Sequence, residues 1–152
     1  MFQELVARAA ALIREHYRKD PPAAATEDAL AVLQQRSRAE LNADPPEEYL
    51  NFLRVTDGLN WDGLFLYGTD DNPKNSFVEQ NLDWRSYEKH NSYLIFGDGD
   101  ISLYAYNLIE KRYELQDRSS GTVLETFETF DALAAEALRP YVETDENNDD
   151  SD

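Results

Sequence analysis

The sequence predicts an α+β domain in which N-terminal helices pack on a twisted antiparallel sheet closed by a C-terminal helix. Three observations predict it. Apolar residues recur at helical spacing through the first third of the chain, the period changes to two from Tyr93 onward, and a helical stretch returns after Phe130. The hydrophobic share of 41% and aromatic share of 12% suit one folded domain over residues 1–142. The last ten residues, ETDENNDDSD, hold too few apolar groups to order and read as an acidic, solvated tail over 143–152.

The first helix spans about residues 1 to 18, with Phe2, Leu5, Val6, Ala9, Leu12, Ile13 and Tyr17 on one stripe. Charges at Glu4, Arg8, Arg14 and Glu15 interrupt any apolar run, so it reads as neither a signal peptide nor a membrane span. Asp20-Pro21-Pro22 and three alanines form a linker. Thr26 caps a second helix, with Glu27 and Asp28 in its first turn and Leu30, Leu33 and Leu41 facing inward. A third helix starts at the Pro45-Pro46 pair and runs to about Thr56. Glu47 and Glu48 complement its positive end, and Tyr49, Leu50, Phe52 and Leu53 gather on one face.

Gly58 supplies a left-handed stop, and Trp61 to Tyr67, apolar except at Asp62, reads as one strand buried on both sides. Gly68 to Ser76 is polar enough for a loop, and a short helix passes through Phe77, Leu82 and Trp84. In the meander that follows, Ile101, Leu103 and Ala105 alternate with Ser102, Tyr104 and Tyr106. Tyr113 and Leu115 alternate with Arg112, Glu114 and Gln116, and Val123 and Phe127 flank Glu125. Gly97 to Asp100 and Ser119-Ser120-Gly121 make turns. The closing helix runs from about Phe130 to Val142, with Leu133, Ala137, Leu138 and Tyr141 inward.

Several of these segments resemble, in order, the SUKH superfamily, which includes fungal cell-wall-assembly regulators and many bacterial immunity proteins. Pro46, Glu47, Glu48, Tyr49, Phe52, Leu53 and Gly58 fill its helix-and-glycine pattern, although Asp44-Pro45 stands where a leucine usually precedes the proline. YLIFGDGDISLYAY, Tyr93 to Tyr106, is similar to the family's central hairpin, and TFETFDALAAEAL, Thr126 to Leu138, to its closing strand and helix. Together they cover most of residues 26 to 142.

Charge narrows the partner. The net charge is −17, of which −11 lies on residues 1 to 142, a balance hostile to nucleic-acid phosphate and suited to a basic partner. The chain has no cysteine, which fits a reducing cytoplasm and removes disulfides and thiolate metal sites.

His16 and His90 have no local zinc spacing. Asp70-Asp71-Asn72 and Asp98-Gly99-Asp100 lack the calcium-loop spacing and read as a surface loop and a turn. The serines sit in no nucleophile elbow. No catalytic residue, metal or cofactor is therefore assigned. The candidate contact surface places acids near aromatics: Asp57, Asp62, Asp70, Asp71, Asp83 and Trp84. Trp61 reads as core, and Trp84 is open between core and contact.

The resemblance implies an immunity protein, an antitoxin that binds a basic, secreted or contact-delivered bacterial toxin domain in the cytoplasm and inhibits it by occlusion. Nucleases are one such basic class. The alternative is a regulatory or scaffolding interaction module of the cell-wall-assembly-regulator type. An enzyme would need a cluster that the sequence does not display.

Overall fold

Phe2, Leu5, Val6, Ala9, Leu12 and Ile13 form the predicted stripe of helix α1 (Phe2–Tyr17) and are buried, while Tyr17 lies exposed at its end. The computed structural model describes residues 2–18, 20–70, 72–87 and 90–150, apart from the side chains of 144–150. Among the described residues no helix is long and apolar enough to cross a membrane.

Helix α2 (Glu27–Arg36) begins where Thr26 caps it, the Thr26 hydroxyl accepting the Ala29 N–H at 3.1 Å. A π-helical turn, Ser37–Leu41, extends it and buries Leu41; Asn42, in the left-handed conformation, ends it. Helix α3 (Glu47–Leu53) is shorter than its sequence pattern suggests, because Pro46 is its extended N-cap and the last turn loosens at Arg54. Gly58 takes φ 80° as expected. A Cβ there would also stand 2.6 Å from the Leu66 carbonyl oxygen, so both conformation and space demand glycine.

The segment expected as one strand is a hairpin, β1 (Leu59–Trp61) and β2 (Leu64–Leu66). Asp62 and Gly63 both have positive φ, 54° and 86°, the primed two-residue turn that an Asp-Gly pair favours. Asp62 is thus the turn itself rather than a polar interruption of a strand. Helix α4 (Phe77–Arg85) follows the loop, its N-cap Ser76 accepting the Glu79 N–H at 3.2 Å. Strands β3 (Tyr93–Asp98), β4 (Ser102–Asn107), β5 (Arg112–Asp117) and β6 (Val123–Phe127) complete an antiparallel sheet in chain order, β1 to β6.

Helix α5 (Phe130–Asp150) runs past the expected end at Val142, since no glycine follows Pro140 to stop it. Its first N–H groups are satisfied from two places. The Thr129 hydroxyl accepts from Ala132, and the Glu48 carboxylate of α3 accepts from Phe130. Asp131 in turn accepts the Phe2 N–H at 2.9 Å, joining α1 to α5.

Aromatic rings fill the core between these helices and the sheet. Tyr49 stands 5.0 Å from Phe77, 4.9 Å from Phe96 and 5.6 Å from Phe130, and Phe52 stands 5.5 Å from both Phe2 and Phe130. Trp61 is buried as expected.

The simple alternation expected of the meander fails in the middle strands. Leu103 and Ala105 are buried, but so is Tyr104 on the opposite face, and Ile101 lies exposed in the turn. Glu114 and Gln116 are buried rather than solvated. The Glu114 carboxylate accepts from Arg112 Nε at 2.8 Å, Asn107 Nδ2 at 3.0 Å and Gln116 Nε2 at 3.0 Å. Burial opposes its ionisation, yet these hydrogen bonds prevail and hold it below the usual carboxylate range.

Strand β2 is too short to cover the whole edge of β3. It pairs only with Gly97 and Asp98, and the Tyr67 N–H then reaches the Phe96 carbonyl at 2.8 Å. Beyond that point the buried Asn81 of α4 serves in place of a strand. Its Oδ1 accepts the Ile95 N–H at 2.7 Å, and its Nδ2 donates to the Ile95 carbonyl at 2.8 Å.

Asn81→Ala should therefore cost about 2–4 kcal/mol by stranding a buried donor and acceptor, against about 3–5 kcal/mol for Phe52→Ala in the ring cluster. Urea unfolding measures both. A loss below about 1 kcal/mol at Asn81 would mean that water satisfies the β3 edge instead.

Candidate functional site

Asp57 lies after α3, and its carboxylate accepts from both the N–H and the hydroxyl of Thr69. This ties the end of the helical layer to the loop after β2. Asp70 accepts the Asn72 N–H at 2.9 Å in a local turn and lines the same shallow depression as Asp57, about 460 Å³, beside Asn60, Thr69 and Asn75. Asp71 lies outside the described residues. Asp83 is exposed on α4.

Asp62 and Trp84 belong elsewhere, at the end of the sheet where its turns gather. A depression of about 560 Å³ is lined by Asp62 from the β1–β2 turn, Gly99 to Ser102 from the β3–β4 turn, Tyr104, Pro140 and Tyr141. A second, about 350 Å³, is lined by Trp84, Tyr87, His90, Asp100, Arg118 and Ser119. Asp100 lines both, so the two lie side by side and are together termed the groove. The predicted surface thus separates into an Asp57–Asp70 depression and an Asp62–Asp100–Trp84 groove.

Beneath the groove lies a hydrogen-bonded set of side chains that follows from the chain order. Tyr67, just after β2, and Trp84, three residues after Asn81 on α4, converge on Asp98 at the end of β3. The Trp84 indole N–H donates to the Tyr67 hydroxyl oxygen at 3.1 Å, and the Tyr67 hydroxyl donates to Asp98 Oδ2. Asp98 is only 9% exposed. Arg118, from the β5–β6 turn, brings Nη2 to 3.7 Å from Asp98 Oδ1 and its guanidinium carbon to 6.0 Å from the centre of the Trp84 ring. The buried His90 ring meets Trp84 edge to face at 5.4 Å.

Burial dominates the electrostatics here. It pushes the Asp98 carboxyl above the ordinary aspartate value, with the Tyr67 hydrogen bond and Arg118 opposing. Burial and the neighbouring Asp98 push the Tyr67 hydroxyl up, and burial does the same to Tyr104. The tyrosines are therefore neutral donors at physiological pH. Chemically the groove offers an indole wall, carboxylates at Asp62 and Asp100, and an open rim bearing Tyr87 and Ile101, 61% and 74% exposed, with the mostly buried Asp98 behind Arg118. Such groups can hold a cation.

Sequence reasoning found Asp62 and Trp84 of this groove but assigned no contact role to Tyr67, Asp98, Asp100, Tyr104, Arg118 or Tyr141. The signal that existed was the GDGD turn, read only as a turn. Two carboxylates there straddle a glycine at a strand end, where neighbouring turns bring aromatics to meet them. Trp84, open in the sequence between core and contact, is half-buried: its N–H holds Tyr67, and its ring walls the groove.

The raised Asp98 carboxyl has a definite sign in stability. Between the unfolded and folded pKa values the folded protein holds the extra proton, so the stability Asp98 contributes at low pH is lost as pH rises through its folded value. The thermal midpoint of the native protein relative to Asp98→Asn should accordingly fall as pH rises above the ordinary aspartate value, about pH 4. A difference that does not vary with pH would mean that burial does not penalise this carboxylate.

Compared with known proteins, the sequence matches no family model and no curated protein.

Proposed function

We propose that the chain is an immunity protein of the SUKH type, which binds a basic bacterial toxin domain and inhibits it by covering its working surface. The observation that carries this reading is the groove at the sheet end, where Asp62, Asp98 and Asp100 meet Trp84, Tyr104 and Tyr141 in a chain of net charge −17. A protein surface that pairs carboxylates with large, held aromatic rings suits recognition of lysine and arginine, and the surrounding negative field would speed their approach. The order of helix, glycine stop, sheet and closing helix is compatible with the family that the sequence resembles. In this reading the protein acts in the cytoplasm of a bacterium, as part of a polymorphic toxin system, and performs no catalysis.

The test uses the variable C-terminal domain of a large secreted protein encoded immediately upstream. Co-expression should suppress that domain's toxicity, and the purified pair should form a complex whose association slows as salt rises. Asp62→Lys with Asp100→Lys should slow association by about tenfold in stopped-flow measurements at low salt. Trp84→Ala should instead speed dissociation. Toxicity unrelieved by co-expression, or equal relief by an unrelated acidic protein, would defeat the proposal.

A further inference from the structure

The notch above Asp98 is already occupied by a cation of the protein's own, Arg118. Among the described residues Arg118 is the one cationic group within ion-pair distance of Asp98, and its hold is loose. At 3.7 Å the contact is too long for a hydrogen bond, and 6.0 Å is the outer reach of a useful cation–π contact with Trp84. The side chain is 46% exposed. Its backbone is held separately, the Arg118 N–H donating to the Ile101 carbonyl at 2.9 Å, so the guanidinium can leave while the turn keeps its place.

The floor beneath is the opposite of loose. The Tyr67 hydroxyl has one proton and spends it on Asp98 Oδ2, while its oxygen accepts from Trp84. Asp98 Oδ1 is left facing the guanidinium. A mostly buried carboxylate that meets its counter-charge without a hydrogen bond retains part of its desolvation cost. A cation arriving from outside, free to approach Asp98 head-on, could form the short charge-assisted hydrogen bond that Arg118 does not make.

We infer that the notch formed by Asp98, Tyr67 and Trp84 is a receptor for one guanidinium or ammonium group of a basic partner protein, and that Arg118 fills it as a stand-in which that group displaces. This rests on the reading of the chain as a binder of a basic protein, and it specifies which chemical group is taken and by which residues. Displacement also explains how one cation can be exchanged without baring Asp98. The released Arg118 remains on the rim beside Asp100, where it can pair with an acid of either molecule.

The chain has two tryptophans, so the indole N–H region of a nitrogen-15 spectrum holds two signals, Trp84 in the notch and Trp61 in the core. The probe is the tripeptide acetyl-Gly-Arg-Gly-amide, with the uncharged citrulline analogue as control. At low salt the arginine peptide should shift the Trp84 signal and leave Trp61 still, and the citrulline peptide should shift neither. In Arg118→Ala, where the stand-in is gone, the arginine peptide should bind about fivefold or more tightly, because the competent state no longer has to be vacated. Adding Asp98→Asn to that variant should abolish the shift.

Equal or weaker binding in Arg118→Ala would overturn the stand-in, and a response to citrulline, or none at Trp84 to arginine, would overturn the receptor. The immunity reading fails separately. Peptide binding as described with no inhibition of the upstream toxin domain would leave the notch standing and remove that partner. Inhibition without peptide binding would do the reverse.

Discussion

Much of the structure depends on closing one edge, the inner stretch of β3 that the short strand β2 leaves uncovered. A buried strand edge with unmet N–H and C=O groups is costly, so something must replace the missing strand. Asn81 does so with a single primary amide, which presents one acceptor and donors in the same spacing as a peptide unit. The consequence extends beyond the edge. Asn81 fixes α4 against β3, α4 carries Trp84 one turn further on, and Trp84 then meets Tyr67 where β2 ends. The groove is thus built on the residues that terminate the β2–β3 pairing, and its indole wall is positioned by an interaction made for the fold.

What the sequence displayed, and what it hid, follows from the range of each signal. The Thr26 and Gly58 caps, the stripe of α1 and the turns of the meander are set within a few residues, and each is found where its local chemistry places it. The Asp62-Gly63 hairpin was equally local. It was obscured because its flanks are apolar on both faces, so a two-residue turn resembles a polar gap in a continuous strand. Glu114, Gln116 and Asn81 are different in kind. Alternation assigns a polar residue to solvent, and it does not tell that Arg112 and Gln116, each two residues away, will join Asn107 of the neighbouring strand in satisfying one buried carboxylate, or that a helix amide will complete a sheet. The groove suffered the same loss: its parts come from four turns and two helices, separated by up to about half the chain.

Net charge and the groove act over different distances. A charge of −17 produces a field felt over roughly a Debye length, about 8–10 Å at ordinary salt, which raises the frequency of encounter with any basic surface. It cannot choose among basic partners. Choice requires groups held at fixed positions with water excluded. Asp57 and Asp70 are spent on local turns and clamps, so they add to the field more than to recognition. In the proposed function it is Asp98, oriented by a tyrosine that is itself held by Trp84, that discriminates.

The energetics of Asp98 favour the same conclusion. An apolar residue at the end of β3 would bury without penalty, whereas the carboxylate is desolvated, shifted upward in pKa by burial, and matched to its cation at a distance too long for a hydrogen bond. Glu114, buried more fully on the same sheet, receives three hydrogen bonds that favour its ionised form. The fold can therefore satisfy a buried acid when folding alone is at stake. At Asp98 it leaves one oxygen toward Arg118, which holds it only loosely, a local disadvantage that the proposed partner's cation would offset.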